Sequence, residues 1–191
     1  MLLDRMLMAQ ALGNFTTWNP ADKGASCTLS NGNLTAYVPS GHGVRAIKPL
    51  TLDKYWEIYV DVTNGSEGLG IANASWPLSY YLGQDSNGCS VYGGGVRYIG
   101  GSNIGTVSAI SITAGAVMRF AYRAAYGELY IGKDSSFYGD PVGRTSPAFS
   151  GLSGTFYPAI GAAAASGTFT ANFGGSSWAY TCPSGFTGVG T

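Results

Sequence analysis

Charge is what this chain has least of. Lys and Arg together number 10, Asp and Glu together number 10, and the net charge over 191 residues is zero. Charged residues make up 10% of the chain, against roughly 25% in an ordinary soluble domain. So few cations cannot build a basic stripe, which excludes nucleic acid as the expected partner. Histidine occurs once, at His42 in Ser40-Gly41-His42-Gly43, with no cysteine or acid beside it, and reads as a solvated loop residue. The three cysteines, Cys27, Cys89 and Cys182, stand far apart without C-x-x-C spacing. Scattered thiols with a single histidine do not compose a metal site, and three thiols leave one unpaired under any single bridge. They read as small buried or half-buried side chains of a protein folded in a reducing cytoplasm, with neither metal nor disulfide expected.

Paired acids are scarce too. Glu57 and Glu128 each project from a strand opposite its apolar residues, and no E-x-D-x-x-E-like run brings two carboxyls into a cleft as glycoside hydrolysis requires. Gly93-Gly94-Gly95 is followed by neither a helical pattern nor Gly-Lys-Ser/Thr, so it is not a phosphate loop. No catalytic residue and no cofactor is therefore expected. No apolar run is long enough to span a bilayer, so membrane insertion is not expected. Residues 1–13 contain Leu2, Leu3, Met6, Leu7, Met8 and Leu12, but Asp4 and Arg5 interrupt them and the basic start of a signal peptide is absent.

What the chain does have is glycine, 30 residues of it, with 13 tyrosines. Abundant Gly, Ser, Thr and Tyr at low charge is unlike a disordered composition and suits short strands joined by tight turns. The length suits one domain. Residues 1–14 are the only stretch with helical spacing, through Leu2, Leu3 and Met6. A helix this short is marginal alone and must pack on the domain or dock elsewhere. From Phe15 onward the period is two. Trp56, Ile58, Val60 and Val62 alternate with Tyr55, Glu57, Tyr59 and Asp61; Leu34, Ala36 and Val38, then Phe169, Ala171 and Phe173, do the same. Short strands are expected near 90–92, 96–99 and 157–162, and the β-branched stretch 107–113 also reads as a strand. The four N-x-S/T sequons, at Asn14, Asn33, Asn64 and Asn73, are a chance consequence of this composition. Regular short strands with Gly-rich turns predict an antiparallel two-sheet sandwich.

The stretch from Gly115 to Pro141 organises the rest. Met118, Phe120, Tyr122 and Ala124 alternate with Val117, Arg119, Ala121 and Arg123, as in a half-buried strand. Tyr126-Gly127 permits a turn, Leu129 and Ile131 resume the alternation, and residues 133–137 read as a polar loop. Arg119 and Arg123 read as a solvated or loop-covering face. This hairpin with its following Gly-Asp-Pro resembles the middle of SPRY domains as they occur in bacteriophage virion proteins. Trp18-Asn19-Pro20-Ala21-Asp22 resembles the opening of that family, Val44-Arg45-Ala46 and Tyr55-Trp56-Glu57-Ile58 its next strands, and Tyr157-Pro158-Ala159, Asn172-Phe173-Gly174 and Pro183-Ser184-Gly185-Phe186 its close. The ordered match runs from about Phe15 to Phe186. The stretch after Ile131 lacks the family's usual Asn-Gly pair, so its tip should differ in shape.

The resemblance implies an all-β, concanavalin-like jelly-roll sandwich over residues 15–191, preceded by an attachment segment over 1–14 with Leu2, Leu3, Met6 and Leu7 as virion-attachment residues. It implies a non-enzymatic structural or adhesion component of a tailed-phage particle, made in the host cytoplasm, present in many copies or as a homo-oligomer. Its partners would be other virion proteins and a host-surface glycan or protein; the alternative is a head-decoration or fibre-attachment protein that binds mainly other virion proteins. Trp76, Tyr80, Tyr81, Asp85, Tyr92, Tyr98 and Tyr138 lie in turn-rich sequence and are the candidate ligand-binding residues. Aromatic faces pack on sugar C–H surfaces or anchor protein interfaces while phenols hydrogen-bond. The alternative for each is a ring tucked over the sandwich edge. The loops 73–102 and 133–144 are expected to share one surface, since loops on a rigid scaffold usually carry binding.

Overall fold

The computed structural model describes residues 16–190; the boundary expected at Phe15 and the residues Leu2, Leu3, Met6 and Leu7 lie outside them. Two antiparallel sheets face each other. The first runs in the order β1 (Trp18–Lys23), β4 (Gly43–Ala46), β13 (Tyr157–Ala162), β6 (Glu67–Ala72), β7 (Gly88–Val91), β8 (Val96–Ile99), β9 (Ser102–Thr106). The second runs β12 (Ser136–Tyr138), β11 (Glu128–Lys133), β10 (Val117–Arg123), β5 (Lys54–Val62), β14 (Gly167–Asn172), β3 (Thr35–Val38), β2 (Thr28–Ser30). A short β15 (Thr187–Gly188) lies parallel to the start of β5.

The core is what the period-two runs dictate. Trp56, Ile58 and Val60 of β5, Met118 and Phe120 of β10, Leu129 and Ile131 of β11, Phe169 and Ala171 of β14, and Phe173 just after it face Val44, Leu69, Ile71, Val91 and Ile160 of the first sheet. Trp56 stacks on Phe120 with ring centroids 5.1 Å apart, and Trp18 meets Phe173 edge-on at 5.0 Å. Trp56, Ile58, Phe120, Leu129, Phe169 and Phe173, the residues the alternation places inside, are all buried.

Three local expectations are corrected. The stretch 107–113 is not a strand: β9 precedes it, and Ser108–Ile110 forms a 3-10 turn. Its β-branched residues signal burial rather than extension, since Ile110 and Ile112 plug into the core. Residues 133–137 are not a loop but a two-residue hairpin into β12, with Lys133 opposite Ser136. Asp134 takes φ +51° at its tip, and its carboxylate accepts a hydrogen bond from the Val117 N–H at 3.0 Å. Finally, β10 is not half-buried. Its second face is covered by the segment 178–187: Ala121 packs with Tyr55, Tyr130 and Phe186, beside Trp178. This segment, a strap across the sheet, also explains Arg119, which lies within cation–π range of Tyr55, Phe137 and Tyr180 and donates to the carbonyls of Asp134 and Thr181. Glu57 closes the same contact, accepting from the Tyr55 hydroxyl at 2.7 Å and the N–H groups of Ala179 and Tyr180 at 2.8 and 2.9 Å.

Candidate functional site

The loop between β6 and β7, residues 73–87, folds back over the outer face of the first sheet, and glycine makes room for it. Side chains alternate across a strand, so Val44 and Ala46 point inward while Gly43 and Arg45 point outward. Beside Gly43, on β13, stands Gly161. The benzo edge of the Trp76 indole lies against both: a Cβ on Gly161 would sit 2.8 Å from Trp76 Cζ2, and one on Gly43 would collide with Cη2. Arg45 fixes the loop from beneath. Its guanidinium grips both carboxylate oxygens of Asp22 at 2.7 Å and donates to the carbonyls of Asn73 at 2.9 Å and Trp76 at 2.6 Å. The bidentate ion pair anchors a planar donor group whose remaining N–H bonds hold backbone.

This anchoring shapes a tyrosine wall downstream. Leu82 is buried, and its carbonyl accepts from the Ser90 hydroxyl at 2.6 Å and the Tyr92 phenol at 3.2 Å. The rings of Tyr81, Tyr92 and Tyr98 meet pairwise edge to face, with centroids 5.4 to 6.1 Å apart. Such packing is favourable beyond its area and holds the rings as one unit. Gly68 permits it, since a Cβ there would lie 2.6 Å from Tyr92 Cε2. Burial pushes the Tyr92 phenol up, so it stays protonated and serves as a neutral donor. With Gly65, Ser66, Gly93, Val96 and Ala163, the three rings line an open groove of about 420 Å³.

The candidate residues separate accordingly. Tyr81, Tyr92 and Tyr98 come together in the groove. Tyr80 is beside them in sequence and 45% exposed. Trp76 is corrected: at 1% exposure it is the nail that holds the loop down and offers no face to a ligand. Asp85 is turned to the loop itself, accepting from the Asn87 backbone and side-chain amides, both at 2.9 Å. Tyr138 is corrected as a member of the shared surface. Ser90 pairs with Tyr98 and Val91 with Arg97, which places Tyr98 on the outer face and Arg97 on the inner one. Tyr138 packs on the core and lies 5.7 Å from that Arg97 guanidinium, on the side of β8 away from the groove. Sequence reasoning missed Gly65, Ser66 and Ala163, which contribute as turn tips; the only available signal was their small size in the turns after β5 and β13.

Among the described residues no group of three or more His, Cys, Asp or Glu side chains could hold a metal ion, and no helix is long and apolar enough to cross a membrane. Glu57 is consumed by the strap, and Glu128 by Arg144 and the Tyr130 hydroxyl.

No known protein-family model matches the chain, and no curated protein matches it in sequence. Solved structures do match in shape. The SPRY domain of human HERC1 superposes with a TM-score of 0.63 at 17% identity, over 81% of this chain and 96% of that one. Stonustoxin does so with a TM-score of 0.62 at 16% identity, over 83% of this chain and 27% of that one. The TRIM65 PSpry domain gives a TM-score of 0.58 at 14% identity, over 87% and 97%. The matched architecture is a sandwich of two antiparallel sheets, and the fold of this chain is therefore the concanavalin-like fold of SPRY domains.

Proposed function

We propose that this chain is a non-enzymatic recognition module, displayed in many copies on a tailed-phage particle, whose tyrosine groove binds a glycan or protein of the host surface. The observation that carries the recognition role is the groove. Tyr81, on the loop held by Arg45 and Trp76, joins Tyr92 and Tyr98 of the neighbouring strand region in a rigid, neutral, hydroxyl-tipped wall. Tyrosine supplies large contact area with few rotatable bonds, and an uncharged groove suits weak binding amplified by multivalency. The placement on a phage particle is supported by the ordered sequence resemblance from Trp18 to Phe186. A panel of bacterial surface polysaccharides and intact host cells tests the reading. Saturable binding that falls about tenfold, near 1.4 kcal/mol, with Tyr81→Ala and Tyr98→Ala supports it. Binding indifferent to both substitutions overturns the groove as the site. Protection of these tyrosines by another virion protein in the assembled particle would favour the head-decoration or fibre-attachment alternative.

A further inference from the structure

The outer face of the second sheet is divided. The strap covers its upper part, over Tyr55, Ala121 and Tyr130, and leaves the lower part open. Along the strap's edge two hollows of about 420 and 300 Å³ adjoin, sharing Asn31, Leu34, Asn172 and Ser176. They make one trough running from Thr16 and Thr17 at one end to Tyr59 at the other. We propose that this trough binds a linear, uncharged oligosaccharide.

The lining chemistry argues for that ligand class. Among the described residues no Lys, Arg or His lines either hollow. The one carboxylate, Glu57, is closed off by three hydrogen bonds to the Tyr55 hydroxyl and the Ala179 and Tyr180 amides. An anionic ligand would find no counter-charge among the described lining residues, and the neighbouring Asp61 carboxylate already accepts a hydrogen bond from Thr170. Tyr59, 45% exposed, presents an aromatic surface at one end, as sugar C–H faces require. Around it stand hydroxyl and amide groups: Ser176 and Ser177 on the strap side, Asn31 opposite, and Thr170 on the floor. Thr170 is already oriented, donating to Asp61 at 2.8 Å while its oxygen lies 2.9 Å from the Thr35 hydroxyl. Leu34, half-buried, adds an apolar wall to the larger hollow.

The topology argues against an extended peptide adding as a strand. The floor is made by side chains of β14 and β5, and both strands are paired on both sides where they form it: Thr170 lies between Thr35 and Tyr59, and Tyr59 in turn lies opposite Val117. No backbone edge is free there for strand addition. The trough lies on the sheet opposite the tyrosine groove, so the two sites can be tested separately.

The test is calorimetric or NMR titration of the full chain with hexasaccharides of β-linked glucose, α-linked glucose and N-acetylglucosamine, with an oligogalacturonate as the acidic control. Saturable binding of at least one uncharged hexasaccharide, weakened about tenfold or more by Tyr59→Ala and unchanged by Tyr81→Ala, is expected. Ser176→Trp, at an exposed position just before the strap, fills the trough sterically and should abolish binding if Tyr59→Ala proves unstable. No saturation by any of the three up to about 10 mM, weaker than any useful affinity, overturns the proposal. So does preference for the acidic control, or binding lost with Tyr81→Ala and retained in Tyr59→Ala and Ser176→Trp.

Discussion

Gly161 and Arg45 show how much of the candidate site rests on single residues behind it. A Cβ at Gly161 would sit 2.8 Å from Trp76, so Gly161→Val must displace the indole. Overpacking of this kind costs about 1–3 kcal/mol, and the loop bearing Tyr81 should loosen with it. A lowered thermal midpoint with red-shifted tryptophan emission is expected; an unchanged spectrum would remove Trp76 from its slot. Arg45→Ala leaves the Asn73 and Trp76 carbonyls and the Asp22 carboxylate without their donor. Hydrogen bonds to a charged group are worth about 1.5–3 kcal/mol each, reduced here because Asp22 is partly exposed. A loss of about 2–3 kcal/mol in urea unfolding is expected, and a loss below about 0.5 kcal/mol would contradict the anchoring role.

Glu128 gives a pH-dependent case at the same scale. The Arg144 hydrogen bond holds its carboxyl below the usual range, helped by the Tyr130 hydroxyl. A carboxylate whose pKa is depressed by folding stabilises the fold above its unfolded pKa and loses that contribution as pH falls through the folded value. The Tyr130 phenol is pushed up to about 12 by burial, then by Glu128 itself. Arg144→Ala should return the Glu128 carboxyl toward its ordinary range in a carbon-13 NMR titration and flatten the loss of stability on acidification below about pH 4.3. A Glu128 titration identical in both proteins would show that the ion pair, at 2.9 Å, does not persist in solution.

At the scale of elements, the strap over the second sheet buries the second face of β10 and of the start of β5. It binds through Glu57 to the Ala179 and Tyr180 amides and through Arg119 to the Thr181 carbonyl. Glu57→Gln keeps the shape but weakens charge-assisted bonds. Amide exchange at Ala179 and Tyr180 should speed up at least tenfold while the β5–β10 ladder stays protected; equal exchange in both proteins would mean that the strap is held by its apolar contacts alone. The same element shows where sequence reading stopped. Glu57, Arg119 and Tyr55 look like the solvated side of amphipathic strands, because period two reports only that neighbours differ. What covers the polar side is set by a segment more than fifty residues further on, and no local pattern carries that.

For the whole molecule, the two sheets close over one core of large aromatic and branched side chains. Phe120, stacked on Trp56 at its centre, should cost about 3–5 kcal/mol when cut to alanine, a large share of the usual 5–15 kcal/mol. A single cooperative urea transition shifted by that amount is expected; a shift under about 1 kcal/mol would mean that the core relaxes around the loss. The strand order joins β4 to β13 and β5 to β14, elements over a hundred residues apart, so folding should be slow among domains of this size.

The sequence by itself determined the class of this protein. Low charge, dense glycine and repeated period-two runs leave an antiparallel sandwich as the arrangement that buries Trp56, Phe120 and Phe169 together, and their inward register follows from alternation alone. The tyrosine-bearing loop was legible as composition, but Tyr81, Tyr92, Asp85, Trp76 and Tyr138 look alike in a turn-rich sequence. Only the tertiary structure separated them. Trp76 is buried because Gly43 and Gly161, distant in sequence, meet on neighbouring strands and leave a slot one indole wide. Tyr98 and Tyr138 part company because adjacent residues of β8 point to opposite faces. Strand glycines hinted that something approaches the backbone closely; which ring would fill the gap depended on long-range pairing, and pairing between distant strands is the information a local pattern does not hold.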